Sequence, residues 1–208
     1  MIQCLKMVKL KTGSLWFLAA FLFLSTVPTV AEVVEEVSLC EEFLLQGTPP
    51  QIPDIIVGRD IQNQNRYKPI CQTYNDVRRF LTLYDTQNRI PVFSAYVYRE
   101  DGKGTRYNKW KIEPQLENRG GNNMVNVERN GIYNNQAGDI DYRKNGLGFD
   151  RGHLFPSSHA FNQDDKISTF TLTNIVPQIK AFNGKSWGRM EICGGGSTTR
   201  QQQSQRQG

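Results

Sequence analysis

The stretch RFLTLYDTQNRIPVFSAYVYRE constrains this chain more than any other. Two runs rich in β-branched and aromatic residues, Phe80 to Tyr84 and Val92 to Tyr98, flank the polar turn DTQNR. That arrangement predicts a β-hairpin. Phe80, Tyr84, Phe93, Tyr96 and Tyr98 suit a pleated, half-buried surface and are assigned to sheet core rather than to a ligand cage. The chain has 208 residues, 38% of them hydrophobic and 22% charged, so it is globular in composition and has room for one ordinary domain plus extras.

Residues 1–31 read as a secretory signal. Lys6, Lys9 and Lys11 precede the apolar run LWFLAAFLFL, and STVPTVA ends in small residues, with cleavage expected after Ala31. The apolar run is too short to span a bilayer comfortably, so stable membrane insertion is not expected. Removing this segment takes away three of the five surplus positive charges, so net charge says little about partners. Cys40, Cys71 and Cys193 remain in an oxidising compartment. Cys40 and Cys71 bracket a loop-rich segment and form the natural pair, leaving Cys193 as the odd thiol.

Residues 32–70 form a proline-punctuated lead-in with short elements and no core of their own. Residues 100–148 are rich in glycine, asparagine and charge, too long for a plain connection. Further on, DDKISTFTLTNIVPQ predicts a helix capped by Asp164 or Asp165, with a bend at Pro177. GKSWGRMEI predicts a short helix from about Gly184, with Trp187 and Glu191 on one face. Residues 192–208 are rich in Gly, Ser and Gln and are expected to be disordered.

Both histidines, His153 and His159, lie in FDRGHLFPSSHAF. In DRGH a glycine permits close backbone approach and an imidazole offers a base near neutral pH. Asn183 in KAFNGKSW offers a neutral oxygen to a hard cation, and Glu191 follows eight residues later. Arg151, and Arg106 within the basic and aromatic stretch Lys103 to Lys111, could clamp phosphate with paired donors. Taken singly each has a blander reading: a turn histidine, an Asn-Gly turn, a solvated carboxylate, a charged loop.

Together, DRGH, LTNIVPQ and FNxxxWxRxE resemble the DNA/RNA non-specific endonuclease family, the ββα-metal nucleases, over roughly residues 36–191. The resemblance implies an α+β, His-Me finger fold with a mostly antiparallel central sheet. It makes residues 71–191 the endonuclease domain. It implies that His153 is the general base, that Asn183 is the single protein ligand of Mg²⁺ (or Mn²⁺), and that Glu191 orients the hydrated ion. Arg106 and Arg151 would supply phosphate-binding charge, and His159 receives no catalytic counterpart. The implied partners are DNA and RNA backbones, read with little sequence preference. Family domains continue past the point matching Glu191, so the expectation is a domain incomplete at its C-terminal side. The alternatives are a nucleic-acid-binding protein of weak or absent activity, and a zinc module on Cys40, Cys71 and the histidines, whose spacing fits no familiar finger.

Overall fold

The structure, a computed structural model, describes residues 32–99, 104, 105, 107, 109–143, 146 and 148–192. The expected signal over residues 1–31, Arg106, Cys193 and the tail beyond Ile192 lie outside the described residues. Three strands form the central sheet in the order β3 (Tyr67–Tyr74), β4 (Val77–Asp85) and β5 (Ile90–Ala95), all antiparallel. They follow a small ribbon of β1 (Ile56–Val57) and β2 (Asp60–Ile61). The hairpin expected from the sequence is β4–β5, with Leu83 opposite Phe93. Its turn is held by Asp85, which accepts from the N–H groups of Gln87 and Asn88 and from the Arg66 guanidinium.

β4 is buried from Phe80 to Tyr84, with Thr82 its one polar side chain there, because both its faces are covered. Leu81 and Leu83 point to one side and pack with Val34, Val37, Cys40, Ile56 and Ile61. Phe80 and Tyr84 point to the other, Phe80 against Phe155 and Ala160, Tyr84 against Ile70 and Leu116. All four side chains are fully buried, each contributing about 1.5–3 kcal/mol. The lead-in therefore joins the core of the sheet, and β3 crosses the expected boundary at residue 70. A disulfide between Cys40 and Cys71, the pair expected from the sequence, ties the two across a Cα separation of 5.7 Å.

The long segment after β5 carries short elements: β6 (Lys111–Ile112) paired with β7 (Val125–Asn126), and helix α1 (Asp139–Arg143). Ile112, Tyr133, Ala137 and Tyr142 from this segment pack with Leu172 and Ile175. Every named strand pair is antiparallel and the helices are short, which makes the fold α+β. Among the described residues no helix is long and apolar enough to cross a membrane.

Candidate active site

DRGH forms the end of β8 (Phe149–His153), which pairs antiparallel with β9 (Ile175–Ile179), and β9 runs directly into a helix over residues 180–192, here α3. The two paired strands and the helix thus form one spatial unit, with residues 154–174 inserted between the strands. Alternation along β8 puts Arg151 and His153 on the same side and Gly152 on the other. A Cβ at Gly152 would lie 2.2 Å from Cδ of Gln178, so this glycine exists to admit the Gln178 side chain from the neighbouring strand.

Pro177 does not bend the chain as the sequence suggested. It sits within β9 opposite Arg151, because a two-stranded ribbon has open edges where a missing N–H costs no ladder bond. The helix before it, α2 (Gln163–Ser168), is capped by Asn162 rather than by Asp164 or Asp165: Asn162 Oδ1 accepts from the Asp165 N–H at 2.8 Å. The two aspartates instead pair with Arg79 of β4.

α3 also begins earlier than expected, at Lys180, and contains a π turn over Asn183–Trp187. This turn has a geometric consequence. Eight residues of regular α-helix would leave Glu191 about 80° around the axis from Asn183. A π turn absorbs one extra residue, which brings the pair to within about 20° of each other. Both side chains consequently line the same cleft. Trp187, at the end of the turn, donates its indole N–H to the main-chain carbonyl of His153 at 3.1 Å, fastening α3 to the end of β8.

That cleft, about 240 Å³, is lined by Arg151, His153, Pro156, Ser157, Asn183, Gly184, Gly188 and Glu191. The His153 ring is buried against Phe170 at 4.9 Å, edge to face, and Trp110 at 5.5 Å. The Arg151 guanidinium lies over Trp110 at 5.0 Å and Tyr142 at 5.4 Å and forms an ion pair with Asp139. Burial lowers its pKa from the ordinary arginine value and Asp139 opposes this. Asn183 and Glu191 are half-buried. Four of the five residues singled out from the sequence come together here, and the fifth, Arg106, lies outside the described residues.

An amide oxygen and a carboxylate on one helix face are hard donors of the kind Mg²⁺ accepts while keeping most of its waters. Among the described residues no group of three His, Cys, Asp or Glu side chains could hold a metal ion, so the donor set fits a hydrated ion with few protein ligands rather than a closed zinc site.

Sequence reading assigned no role to Asn174, in LTNIVPQ. It is fully buried and holds the chain leaving His153: its Oδ1 accepts from Phe155 N–H at 3.0 Å and from Ser94 Oγ at 2.9 Å. Its Nδ2 donates to the carbonyls of Phe155 and Thr169. A buried asparagine satisfied on all sides carries no signal in a single sequence.

A two-strand-and-helix unit presenting an imidazole, an amide and a carboxylate to one cleft defines a nuclease domain of the ββα-metal type. The chain belongs to the DNA/RNA non-specific endonuclease family, whose pattern it matches over residues 61–203. It is 32% identical over 150 residues to endonuclease domain-containing 1 protein of Homo sapiens, covering 69% of this chain and 27% of that protein. It is 40% identical over 57 residues to mitochondrial endonuclease G of Homo sapiens (27% of this chain, 18% of that one). A Nostoc nuclease is 40% identical over 47 residues (22% and 17%). The chain thus spans about a quarter of the length of the relative it matches over most of its residues.

Proposed function

We propose that this protein hydrolyses phosphodiester bonds of DNA and RNA with little sequence specificity, and that it is secreted. The observation that carries the reading is the convergence of Arg151, His153, Asn183 and Glu191 on one cleft. His153 takes the proton from a water molecule as the water oxygen bonds to phosphorus and the bond to the leaving oxygen breaks. The aromatic walls formed by Phe170 and Trp110 restrict the ring's rotation and hold it toward the cleft. Asn183 would hold a divalent cation through its amide oxygen, and Glu191 would orient the hydrated ion. When bound, Mg²⁺ or Mn²⁺ supplies positive charge that offsets the charge gathering on the phosphoryl oxygens. Arg151 adds fixed positive charge on the same side, and Arg106 is the candidate for a second phosphate clamp. Contacts to backbone phosphate carry no base information, which is why low sequence preference follows.

Secretion rests on the apolar N-terminal run of the sequence and is supported by the Cys40–Cys71 bridge, since such bonds persist in oxidising compartments. A second reading, nucleic-acid binding without turnover, is favoured by the Asp139–Arg151 pair, whose carboxylate offsets the positive charge that Arg151 would direct at the charge developing in the reaction. Supercoiled plasmid and a single-stranded RNA incubated with the purified protein separate the two. Cleavage of both that stops with EDTA and returns with Mg²⁺ is the expected result, and salt-sensitive binding with no cleavage contradicts it.

A further inference from the structure

His159 does not line the catalytic cleft, yet it touches the residue that closes it. Its Nε2 lies 2.7 Å from the main-chain oxygen of Glu191, and its Nδ1 lies 2.8 Å from the Tyr96 hydroxyl. A carbonyl oxygen only accepts, so Nε2 must carry the proton. In the neutral ring Nδ1 is then the acceptor, and Tyr96 donates to it. The three groups form a directed chain from the hydroxyl of Tyr96, through the imidazole, to the backbone of α3.

The base of this chain is rigid. The Tyr96 ring stacks on Phe155 with centroids 3.9 Å apart, and Phe155 is the residue whose N–H is fixed by Asn174. Tyr98 meets the His159 ring edge to face at 5.2 Å. The ring is itself buried, and its open side borders a separate cavity of about 290 Å³ beside Arg79 and Phe161. His159 therefore has no direct access to a substrate in the catalytic cleft. Burial pushes the Tyr96 hydroxyl up to about 12, with the Glu191 carboxylate adding to the effect, so the hydroxyl keeps the proton it donates.

We infer that Tyr96 and His159 are positioning residues for the metal site: they anchor the α3 backbone at Glu191 and thereby hold its side chain in the cleft that Asn183 also lines. Trp187 fastens α3 to the catalytic strand at one point and His159 fastens it a turn further on, so the face carrying both cation-holding groups is pinned twice. This rests on the reading of Asn183 and Glu191 as the cation site. Groups that orient a ligand without touching the ion typically matter 10- to 100-fold in affinity or rate.

The test is direct Mn²⁺ binding, followed by electron paramagnetic resonance, on wild type, His159→Leu, His159→Gln, Tyr96→Phe and Asn183→Ala, with near-ultraviolet circular dichroism to establish the fold of each. Glutamine can present an N–H at the reach of Nε2, and phenylalanine keeps the stack on Phe155. The expected result is affinity weakened roughly tenfold or more in His159→Leu, a smaller loss in Tyr96→Phe, and near-wild-type binding in His159→Gln. The half-saturating Mg²⁺ for plasmid nicking should move in the same order while KM for DNA stays fixed. Folded His159→Leu that binds Mn²⁺ like wild type overturns this inference alone. Should His159→Leu fail to fold, Tyr96→Phe with unchanged binding overturns it. Wild type that binds Mn²⁺ no better than Asn183→Ala overturns the assignment of the cation site and this inference with it.

Discussion

The indole nitrogen of Trp187 donates to the main-chain carbonyl of His153 across 3.1 Å, so the strand bearing the proposed base and the helix bearing the proposed cation ligand are joined by one hydrogen bond. Trp187→Phe keeps the aromatic bulk and removes that donor. We expect about 1 kcal/mol of lost stability. Small displacements in a site can cost on the order of a hundredfold in rate, so activity should fall by more than the stability change implies. Denaturant unfolding beside plasmid-nicking rates checks this, and wild-type rates in a folded Trp187→Phe protein contradict it.

Gly152→Ala tests the packing across β8 and β9. The new methyl group would lie 2.2 Å from Gln178 Cδ and 2.6 Å from its Cγ, with the glutamine itself buried. Overpacking of this kind costs about 1–3 kcal/mol. Gln178→Ala in the same chain should restore part of the loss, and the coupling can be read from urea midpoints of the four proteins in the cycle.

Glu32 and Glu113 lie fully buried and close enough for each carboxyl group to act on the other's proton. Burial raises both, Glu32 strongly and Glu113 up to about 7, so the folded chain holds protons that the unfolded chain releases near 4.5. The stability this contributes is complete below that ordinary value and declines as pH rises through about 7. Melting temperature should therefore fall between roughly pH 5 and pH 8. The Glu32→Gln, Glu113→Gln double variant should lose most of that slope, and an unchanged slope contradicts the assignment.

The Cys40–Cys71 bridge joins residues 31 apart, and opening a loop of that size should cost about 3–4 kcal/mol. Urea unfolding with and without a reductant measures it. Because this bond fastens the lead-in over Leu81 and Leu83, the far face of the sheet bearing Phe80 and Tyr84 should be the less affected in hydrogen exchange.

What was legible in the sequence follows from how local each signal is. The β4–β5 hairpin was readable because alternation and turn composition are properties of adjacent residues. The pairing of Cys40 with Cys71 was readable because both flank one loop-rich segment. The start of α3 was misjudged because Pro177 looked like a bend and because a π turn leaves no composition signal, although it sets the phase between Asn183 and Glu191. The Asn162 cap lost to two aspartates that look better placed until Arg79 is seen to take them. Asn174, the Glu32–Glu113 pair and the Tyr96–His159 contact join positions far apart in the chain, where one sequence is silent.

The central claim is that His153 performs the proton transfer. The most direct measurement is the single-turnover cleavage rate of a plasmid at saturating Mg²⁺ by wild type and by His153→Ala of verified fold. Loss of a general base should slow the reaction about 10²- to 10⁴-fold with DNA binding retained. A His153→Ala protein that cuts at the wild-type rate contradicts the account.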